Sequence, residues 1–311
     1  MRKKKMLLLL TLAVMSGVLT SCGYAEVLDR DYTEPLSQKE VRFSSNVVIP
    51  KYSLSSRISG NKWEPGDAIG VYMLDTDSYA VVGGNNNIMY VTEYGGFTAN
   101  FVAQNNKVYF PANNRKVRFL SYHPYSDLTS GSIYKVDVIN QTHQSLIDLL
   151  YSFDASTTYD NNIEVRRVPI DFERQLSKVN INVKNGEGLQ GFDLMHMKVY
   201  ITGLNTKADF NLLTGKLSNL SNISPIAPSV LIAGGGNVYS GEAIVIPSTD
   251  LKNARIVLNL TNGIGSFSWN INERSFEKGK KYTYNITVTR SGITVDTKTN
   301  SWHNIEMETE V

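Results

Sequence analysis

The feature that most constrains the fold of this chain is the alternation of apolar and polar residues over short stretches. Val179, Ile181 and Val183 alternate with polar neighbours, and Lys281–Thr289 repeats the pattern with Tyr, Ile and Val. Such period-two alternation places one row of side chains in a core and the other in water, which is typical of a β-strand. Clusters of Asn, Gly, Ser and Thr separate these stretches, and no pattern of strand, long helix and strand recurs. The sequence therefore predicts an all-β protein.

The length of the chain predicts two β-sandwiches in series. A chain of 311 residues exceeds the usual size of one domain. The polar stretch Ser152–Asn162 is the predicted boundary, which gives an N-terminal β-sandwich domain at 40–162 and a C-terminal one at 163–311. One short helix is predicted at Gln144–Tyr151, near the end of the first domain, because its leucines recur at helical spacing.

The first 21 residues have the pattern of a signal peptide. Arg2–Lys5 carry positive charge, and the apolar run Leu7–Leu19 is shorter than the roughly 20 residues that a membrane span needs. The run ends in Leu19-Thr20-Ser21-Cys22, which fits a bacterial lipobox. We therefore expect Cys22, the single cysteine of the chain, to receive lipid, palmitate included, and to become the mature N-terminus. The polar residues 22–39 would then tether the folded part to the membrane.

Charge argues against a nucleic-acid partner. The whole chain has a net charge of +2, and removing the four basic residues of the signal peptide takes it to −2. The remaining sequence contains no run rich in Lys and Arg.

The sequence predicts no cofactor, no metal site and no enzyme. Gly186–Gly191 matches the dinucleotide pattern G-x-G-x-x-G, but the next residues read as a strand, where that function needs a helix. The four histidines lack the spacing of metal ligands, and no G-x-S-x-G segment presents a serine nucleophile. A lipid-anchored hydrolase whose carboxylates meet only in space stays open as an alternative.

Several segments, in order along the mature chain, resemble the fimbrillin family, the type V pilins of Bacteroidales-type bacteria. They are Trp63–Tyr72 (W-E-P-G-D-A-I-G-V-Y), Val108–Pro111, Val117–Tyr125, Asp148–Leu150, Phe172–Val179, Lys278–Tyr284 and Trp302. The resemblance covers nearly the whole mature chain. It implies two transthyretin-like β-sandwich domains in tandem.

The resemblance also implies a mode of assembly. Members of this family are exported as lipoproteins to the outer membrane and cleaved by an arginine-specific protease, which removes their first strand. The groove that is left accepts an extended strand from another fimbrial subunit, held by main-chain hydrogen bonds and by side chains in pockets. The implied partners are other subunits, the protease and the outer membrane.

These roles can be assigned to residues of this sequence. The removable first strand would be Val41–Ile49, in which one face carries Val41, Phe43, Ser45, Val47 and Ile49. Arg57, in the Ser-rich stretch that follows, is the predicted processing site, although an exposed loop arginine without that role fits equally. The donor strand is predicted within 293–311, with the alternating residues Ile293, Val295, Thr297 and Thr299.

The predicted function is that of a structural subunit of a cell-surface fimbria supporting adhesion and biofilm formation. The alternative is a monomeric outer-membrane surface lipoprotein that binds glycan or host protein through exposed Tyr and Trp side chains. Polymer formation after cleavage at arginine distinguishes the two.

Overall fold

Strands account for nearly all regular structure in the computed structural model. It describes residues 39–47, 62–128, 131–153, 158–160, 162, 167–189, 194, 196–229, 232–233, 238–260 and 265–302. The strands are β1 Phe43–Val47, β2 Ala68–Asp75, β3 Ile88–Thr92, β4 Thr98–Ala103, β5 Val117–His123, β6 Ile133–Asp137, β7 Leu150–Phe153, β8 Val168–Arg174, β9 Ser177–Asn185, β10 Lys198–Thr202, β11 Asn205–Asn211, β12 Lys216–Ile223, β13 Ile232–Ala233, β14 Val238–Val245, β15 Arg255–Leu260, β16 Gly265–Asn270, β17 Lys280–Val288 and β18 Ile293–Ser301. The predicted all-β class is confirmed.

The first part of the chain folds into a closed barrel. The strands follow one another around it in the order β1, β4, β3, β2, β5, β7 and β8, and β1 closes it against β8. The β1–β8 contact is parallel, whereas the other contacts around the barrel are antiparallel. The interior is filled mainly by aromatic and branched aliphatic side chains, among them Phe43, Tyr90, Phe101, Phe119 and Phe172.

The second part contains three sheets around a larger core. One sheet has the order β13, β14, β9, β17 and β18, a second β10, β15 and β16, and a third β12, β11 and β6. The alternation that predicted β9 appears as burial of Val179, Ile181 and Val183, while Asn180 and Asn182 lie half-exposed. The inward side chains of these strands therefore build one continuous apolar cluster.

Two barrel strands belong to both cores. In β2, Val71 and Met73 point into the barrel, whereas Tyr72 and Leu74 pack in the larger cluster. In β5, Leu120 belongs to the larger cluster, and every residue of the strand is buried. Because both faces of these strands exclude water, neither sequence alternates between apolar and polar residues. β2 reads as a nearly continuous apolar run, whereas β5 also carries Arg118, Ser121 and His123.

The strand β12 forms an exposed edge of its sheet. It pairs with β11 through a register that shifts between Lys207 and Asp209. Asn219 and Asn222 have positive φ angles of 51° and 57°, a conformation that asparagine tolerates better than most residues. The backbone of this edge is therefore irregular.

The predicted short helix at Gln144–Tyr151 is wrong. Gln144–Leu146 form a single 3₁₀ turn, and Leu150 already belongs to β7, which pairs with β5 and β8. An eight-residue segment gains little from helix formation because nucleation is unfavourable. Pairing in the barrel satisfies the same backbone groups and buries Leu149 and Leu150.

The predicted domain boundary at 162/163 stays a prediction, as does the transthyretin-like form of the two domains. β8 lies after that boundary and completes the barrel, whereas β6 lies before it and pairs with β11. All described residues belong to one compact unit. Within the described ranges, no helix has the length and apolar character needed to cross a membrane.

An ion-pair cluster lies on the outer face of the five-stranded sheet. Glu242 on β14 forms ion pairs with two lysines. Its Oε2 atom lies 2.8 Å from Lys178 Nζ, and its Oε1 atom lies 3.2 Å from Lys281 Nζ. Burial alone would raise the pKa of Glu242, but the two lysines outweigh it, so the pKa lies below its usual value. A carboxylate whose pKa is lower in the folded than in the unfolded chain stabilises the fold above the unfolded pKa. That contribution is lost as the pH falls through the folded pKa.

Replacing Glu242 by Gln should lower the free energy of unfolding by about 1–3 kcal/mol at pH 7, because two partly buried lysines lose their carboxylate. The difference in the free energy of unfolding between the variant and the parent should shrink once the pH falls below about 4.5, the ordinary pKa of this carboxyl. Urea unfolding at pH 7 and pH 3 measures both effects. The exposed Glu187→Gln is the matched control, expected within about 0.5 kcal/mol of the parent. An equal loss at both pH values would contradict the electrostatic origin.

Candidate assembly site

The strand β1 is bonded along both of its edges. Phe43, Ser44 and Ser45 lie opposite Phe101, Asn100 and Ala99 of β4 in the antiparallel direction. On the other edge the same residues lie opposite Val168, Pro169 and Ile170 of β8 in the parallel direction. We call the space between β4 and β8 that β1 fills the seam.

Pairing continues on the N-terminal side of β1. The amide of Val41 donates to the carbonyl oxygen of Val108 over 2.8 Å, and that of Phe110 donates to the carbonyl oxygen of Lys39 over 3.0 Å. The amide of Val168 donates to the carbonyl oxygen of Arg42 over 2.7 Å. The stretch 39–47 is therefore an integral part of the barrel wall.

The inward face of this stretch forms part of the barrel core. Val41, Phe43 and Ser45 are each at most 2% exposed, whereas Arg42 is exposed. The ring of Phe43 meets the rings of Tyr90 and Phe119 edge-on, with centroids 4.9 and 5.0 Å apart. Edge-to-face pairs of this kind add to the free energy gained by burying the rings.

The hydroxyl of Tyr90 makes a buried hydrogen bond to the same stretch. It donates to the carbonyl oxygen of Val41 over 3.2 Å, and the ring of Tyr90 is fully buried. Burial raises the pKa of Tyr90, so the phenol stays protonated and remains a donor. A buried donor without an acceptor would destabilise the fold, so the position of this carbonyl matters.

On the outer face, a charged cluster surrounds the start of the strand. Arg42 Nη2 lies 2.9 Å from Glu40 Oε2, and Lys107 Nζ lies 3.7 Å from the same atom. The pKa of Glu40 is lowered mainly by the hydrogen bond from Arg42. The positive charges of Arg42 and Lys107 lower it further. Exposed pairs of this kind add little stability.

Trp63 packs between the two walls of the seam. Its ring lies 5.0 Å from that of Phe101 on β4 and 5.7 Å from that of Phe172 on β8. Its backbone exchanges two hydrogen bonds of 2.8 Å with Gly96. The indole N–H is buried, and no hydrogen-bond partner for it lies within the part of the chain that the structure describes.

Several predicted site residues lie outside the described residues. They are Cys22, Ile49 and Arg57, together with the side chain of Val47. The signal peptide and tether predicted for 1–39 fall outside the description too, apart from Lys39. The assignments of lipidation and processing stay predictions.

The predicted donor residues lie in a sheet of their own chain. Ile293, Val295, Thr297 and Thr299 belong to β18, the edge strand that pairs with β17 along its whole length. Ile293 and Val295 are half-buried and pack against the larger core, whereas Thr297 and Thr299 are exposed. These residues and β1 lie in different sheets of the chain.

The end of β18 is fixed by Trp302. This side chain is buried, and its ring lies 4.6 Å from the guanidinium carbon of Arg174 and 5.1 Å from Lys178 Nζ. Its amide donates to the carbonyl oxygen of Gly279 over 2.8 Å. Arg174 also binds Asp148, with Nε 2.9 Å from Oδ2.

The sequence analysis missed both the wall strand β4 and the role of Tyr90. The segment Thr98–Ala103 does alternate, with Ala99 and Phe101 buried and Thr98 and Asn100 exposed. This alternation was visible in the sequence, but it covers only six residues. Among the described residues, no group of three or more His, Cys, Asp or Glu side chains is placed to hold a metal ion.

Replacing Phe43 by Ala should lower the free energy of unfolding of the uncut protein by about 3–5 kcal/mol, because a buried ring leaves a cavity against Tyr90 and Phe119. Urea unfolding followed by tryptophan fluorescence measures it. Ser44→Ala, on the half-exposed face of the same strand, is the control and should change stability by less than about 1 kcal/mol. A loss of under 1 kcal/mol for Phe43→Ala would show that β1 is not part of the core.

Comparison with known proteins supports one family. Residues 56–302 match the family model described as fimbrillin-like. A Bacteroides uniformis protein provisionally named the fimbrium subunit Fim1C is 31% identical over 260 residues, which cover 80% of this chain and 82% of that protein.

Solved structures agree with this match. A provisionally named cell adhesion protein from Bacteroides uniformis superposes with a TM-score of 0.69 at 28% identity, covering 85% of this chain and 98% of that one. A protein of the same description from Bacteroides ovatus shares the fold, with a TM-score of 0.65 at 20% identity over 87% of this chain and all of that one. The family model and the related sequence together show that this chain belongs to the fimbrillin-like family.

Proposed function

We propose that this chain is a structural subunit of a cell-surface fimbria and that it assembles by exchange of strands between subunits. Membership of the fimbrillin-like family supports a fimbrial or adhesive role, in which other fimbrial subunits are the partners. The role is structural, supports adhesion and biofilm formation, and requires no catalysis.

The observation that carries the proposal is the position of β1. This five-residue strand has a backbone neighbour on each edge, and its inward side chains fill the barrel core. Its removal would expose the facing edges of β4 and β8 together with an apolar groove beneath them. Such a groove accepts an extended segment of another chain, as in β-augmentation, and would aggregate if it stayed open.

The proposed processing site is Arg57. Cleavage there would separate β1 from Trp63, which would remain between β4 and β8. Arg42 pairs with Glu40 at the start of the strand, and Arg30 precedes the whole barrel. Cutting at either of those residues would leave β1 attached to the barrel.

The donor is proposed to come from 293–311. Donation of Ile293–Thr299 themselves would require β18 to leave β17, which would open the five-stranded sheet. Donation of residues beyond Trp302 would leave that sheet intact.

Export as a lipoprotein completes the proposal. Residues 1–21 would be removed as a signal peptide, Cys22 would carry the lipid, and 22–39 would tether the subunit to the outer membrane before processing. Cleavage at Arg57 would release the subunit from this anchor.

A second candidate function is that of a monomeric surface lipoprotein that binds glycan or host protein. It is favoured by an exposed aromatic pair near one end of the barrel. Tyr94 is 77% exposed and Phe97 42%, and Lys62 Nζ lies 4.8 Å from the centre of the Phe97 ring. Such a protein would bind without forming polymers.

We expect an arginine-specific protease to cut the unlipidated protein (residues 23–311) after Arg57. The cut protein should then form oligomers that persist as a ladder in detergent gel electrophoresis without heating. Intact mass identifies the cut, and the gel follows assembly. Arg57→Lys should abolish the cut and reduce the ladder at least tenfold, since this protease does not cleave after lysine.

Arg30→Lys is the matched control, because it removes an arginine upstream of β1 and should leave the ladder unchanged. Clean cleavage after Arg57 without oligomers would favour the monomeric binding role. A ladder that persists in Arg57→Lys would refute the processing site.

A further inference from the structure

A buried arginine lies on the outer face of the barrel. Arg118 belongs to β5 and is two residues from Leu120, so both side chains point away from the barrel interior. Arg118 is only 7% exposed. Among the described residues no carboxylate forms an ion pair with it, and Asp75, at the adjacent end of β2, is paired with Arg115. Because a buried charge needs a partner, this guanidinium is suited to an anionic ligand.

The guanidinium of Arg118 also has donors to spare. Its Nη1 donates to the Tyr79 hydroxyl over 3.0 Å, whereas the buried Nε has no acceptor within the described part of the chain. A buried donor without an acceptor destabilises the fold. A carboxylate binds a guanidinium through parallel hydrogen bonds and is a stronger partner for it than a neutral phenol. The arginine is therefore incompletely satisfied by Tyr79.

Tyr79 covers this arginine as a bound ring would. The centre of its ring lies 4.6 Å from the guanidinium carbon of Arg118. The same ring stacks on that of Phe153 of β7, with centroids 5.8 Å apart and planes inclined by 18°. Phe153 in turn packs against the larger core. The place beside Arg118 and Phe153 thus accommodates a flat ring that carries an oxygen acceptor.

Tyr79 occupies this place in a strained conformation. Its φ angle is 58°, in the left-handed region that a bulky side chain rarely adopts. The contacts with Arg118 and Phe153 offset that strain. Since the side chain of Tyr79 is 47% exposed, it has a route into water. A ligand that replaced its contacts would release the strain.

The turn that carries Tyr79 is held by other groups. One oxygen of the Asp75 carboxylate accepts hydrogen bonds from the amide of Ser78 over 2.8 Å and from its hydroxyl over 2.7 Å. The other oxygen accepts one from Arg115 Nε over 2.8 Å. The amide of Asp75 donates to the carbonyl oxygen of Ala80 over 2.9 Å. The side chain of Tyr79 can therefore swing out while the turn keeps its shape.

We propose that Arg118 and Phe153 form a binding site for a small aromatic carboxylate, and that Tyr79 fills this site in the absence of the ligand. The carboxylate of the ligand accepts hydrogen bonds from the guanidinium, its ring stacks on Phe153, and Tyr79 turns outwards. The site is built from β5, β7 and the turn after β2, and it uses none of β1, β4 and β8. Its failure would leave the proposed strand exchange untouched.

Calorimetric titration of the uncut, unlipidated protein (residues 23–311) at pH 7 tests the class of ligand. Benzoate is the probe, benzamide supplies the same ring without charge, and acetate supplies the carboxylate without the ring. Benzoate should bind at least tenfold more tightly than either of the other two. Equal affinity for benzoate and benzamide, equal affinity for benzoate and acetate, or no binding of benzoate would each overturn the proposal.

Tyr79→Gly tests the role of the tyrosine. Glycine adopts a positive φ angle without strain, and its substitution empties the site. Benzoate should therefore bind this variant at least fivefold more tightly than the parent. Asn114→Gly is the matched control, because Asn114 is exposed and also has a positive φ angle, of 53°. It should leave the affinity unchanged. Unchanged or weaker binding by Tyr79→Gly would show that Tyr79 does not occupy the site.

Arg118→Lys tests the anion-binding group. Lysine keeps the charge and the apolar stem but lacks the planar fork that matches a carboxylate. Its affinity for benzoate should fall at least fivefold below that of the parent, and urea unfolding checks that the variant is folded. Undiminished binding by the folded variant would overturn the proposal. If the variant does not fold, the comparison of Tyr79→Gly with Asn114→Gly decides.

Discussion

The barrel depends on the main-chain hydrogen bonding of β1 to two strands that are distant in sequence. β4 and β8 have only β1 between them, and β1 brings Phe43 into the centre of the aromatic core. A peptide group of β1 that made no hydrogen bond to a neighbouring strand would need a hydrogen bond to water instead. The apolar groove beneath the strand excludes that water. The same five residues therefore close the sheet and complete the core.

The two cores are coupled through shared elements. β2 and β5 present one face to the barrel interior and the other to the larger cluster, so neither core can repack without affecting these strands. Arg174, at the end of β8, binds Asp148 and stacks on Trp302. One wall of the seam is thereby connected to the end of β18 by direct side-chain contacts.

The sequence predicted those strands in which buried and exposed residues alternate. β9 and β17 alternate strictly, and both were located within one or two residues. β12 was missed because nearly all of its residues are exposed, so that no apolar row marks it. The pairing of β6 with β11 links segments about 70 residues apart, and local patterns carry no information about such contacts. The helix predicted at Gln144–Tyr151 failed because leucines at helical spacing also serve a turn followed by a buried strand.

For the site, the alternation of Val41, Phe43 and Ser45 was visible in the sequence, but the walls around them were not. Tyr90 and Phe119 meet Phe43 only through the closure of the barrel.

The irregular edge at β12 has a consequence for how such a protein behaves at high concentration. Leu220 and Ile223 are largely exposed there, next to the left-handed Asn219 and Asn222. A flat strand with these side chains would be a template for indiscriminate sheet extension between molecules. The left-handed asparagines break the regular spacing of donors and acceptors that such extension needs. The chain thus carries exposed apolar side chains on a sheet edge whose backbone is poorly suited to pairing with a second molecule.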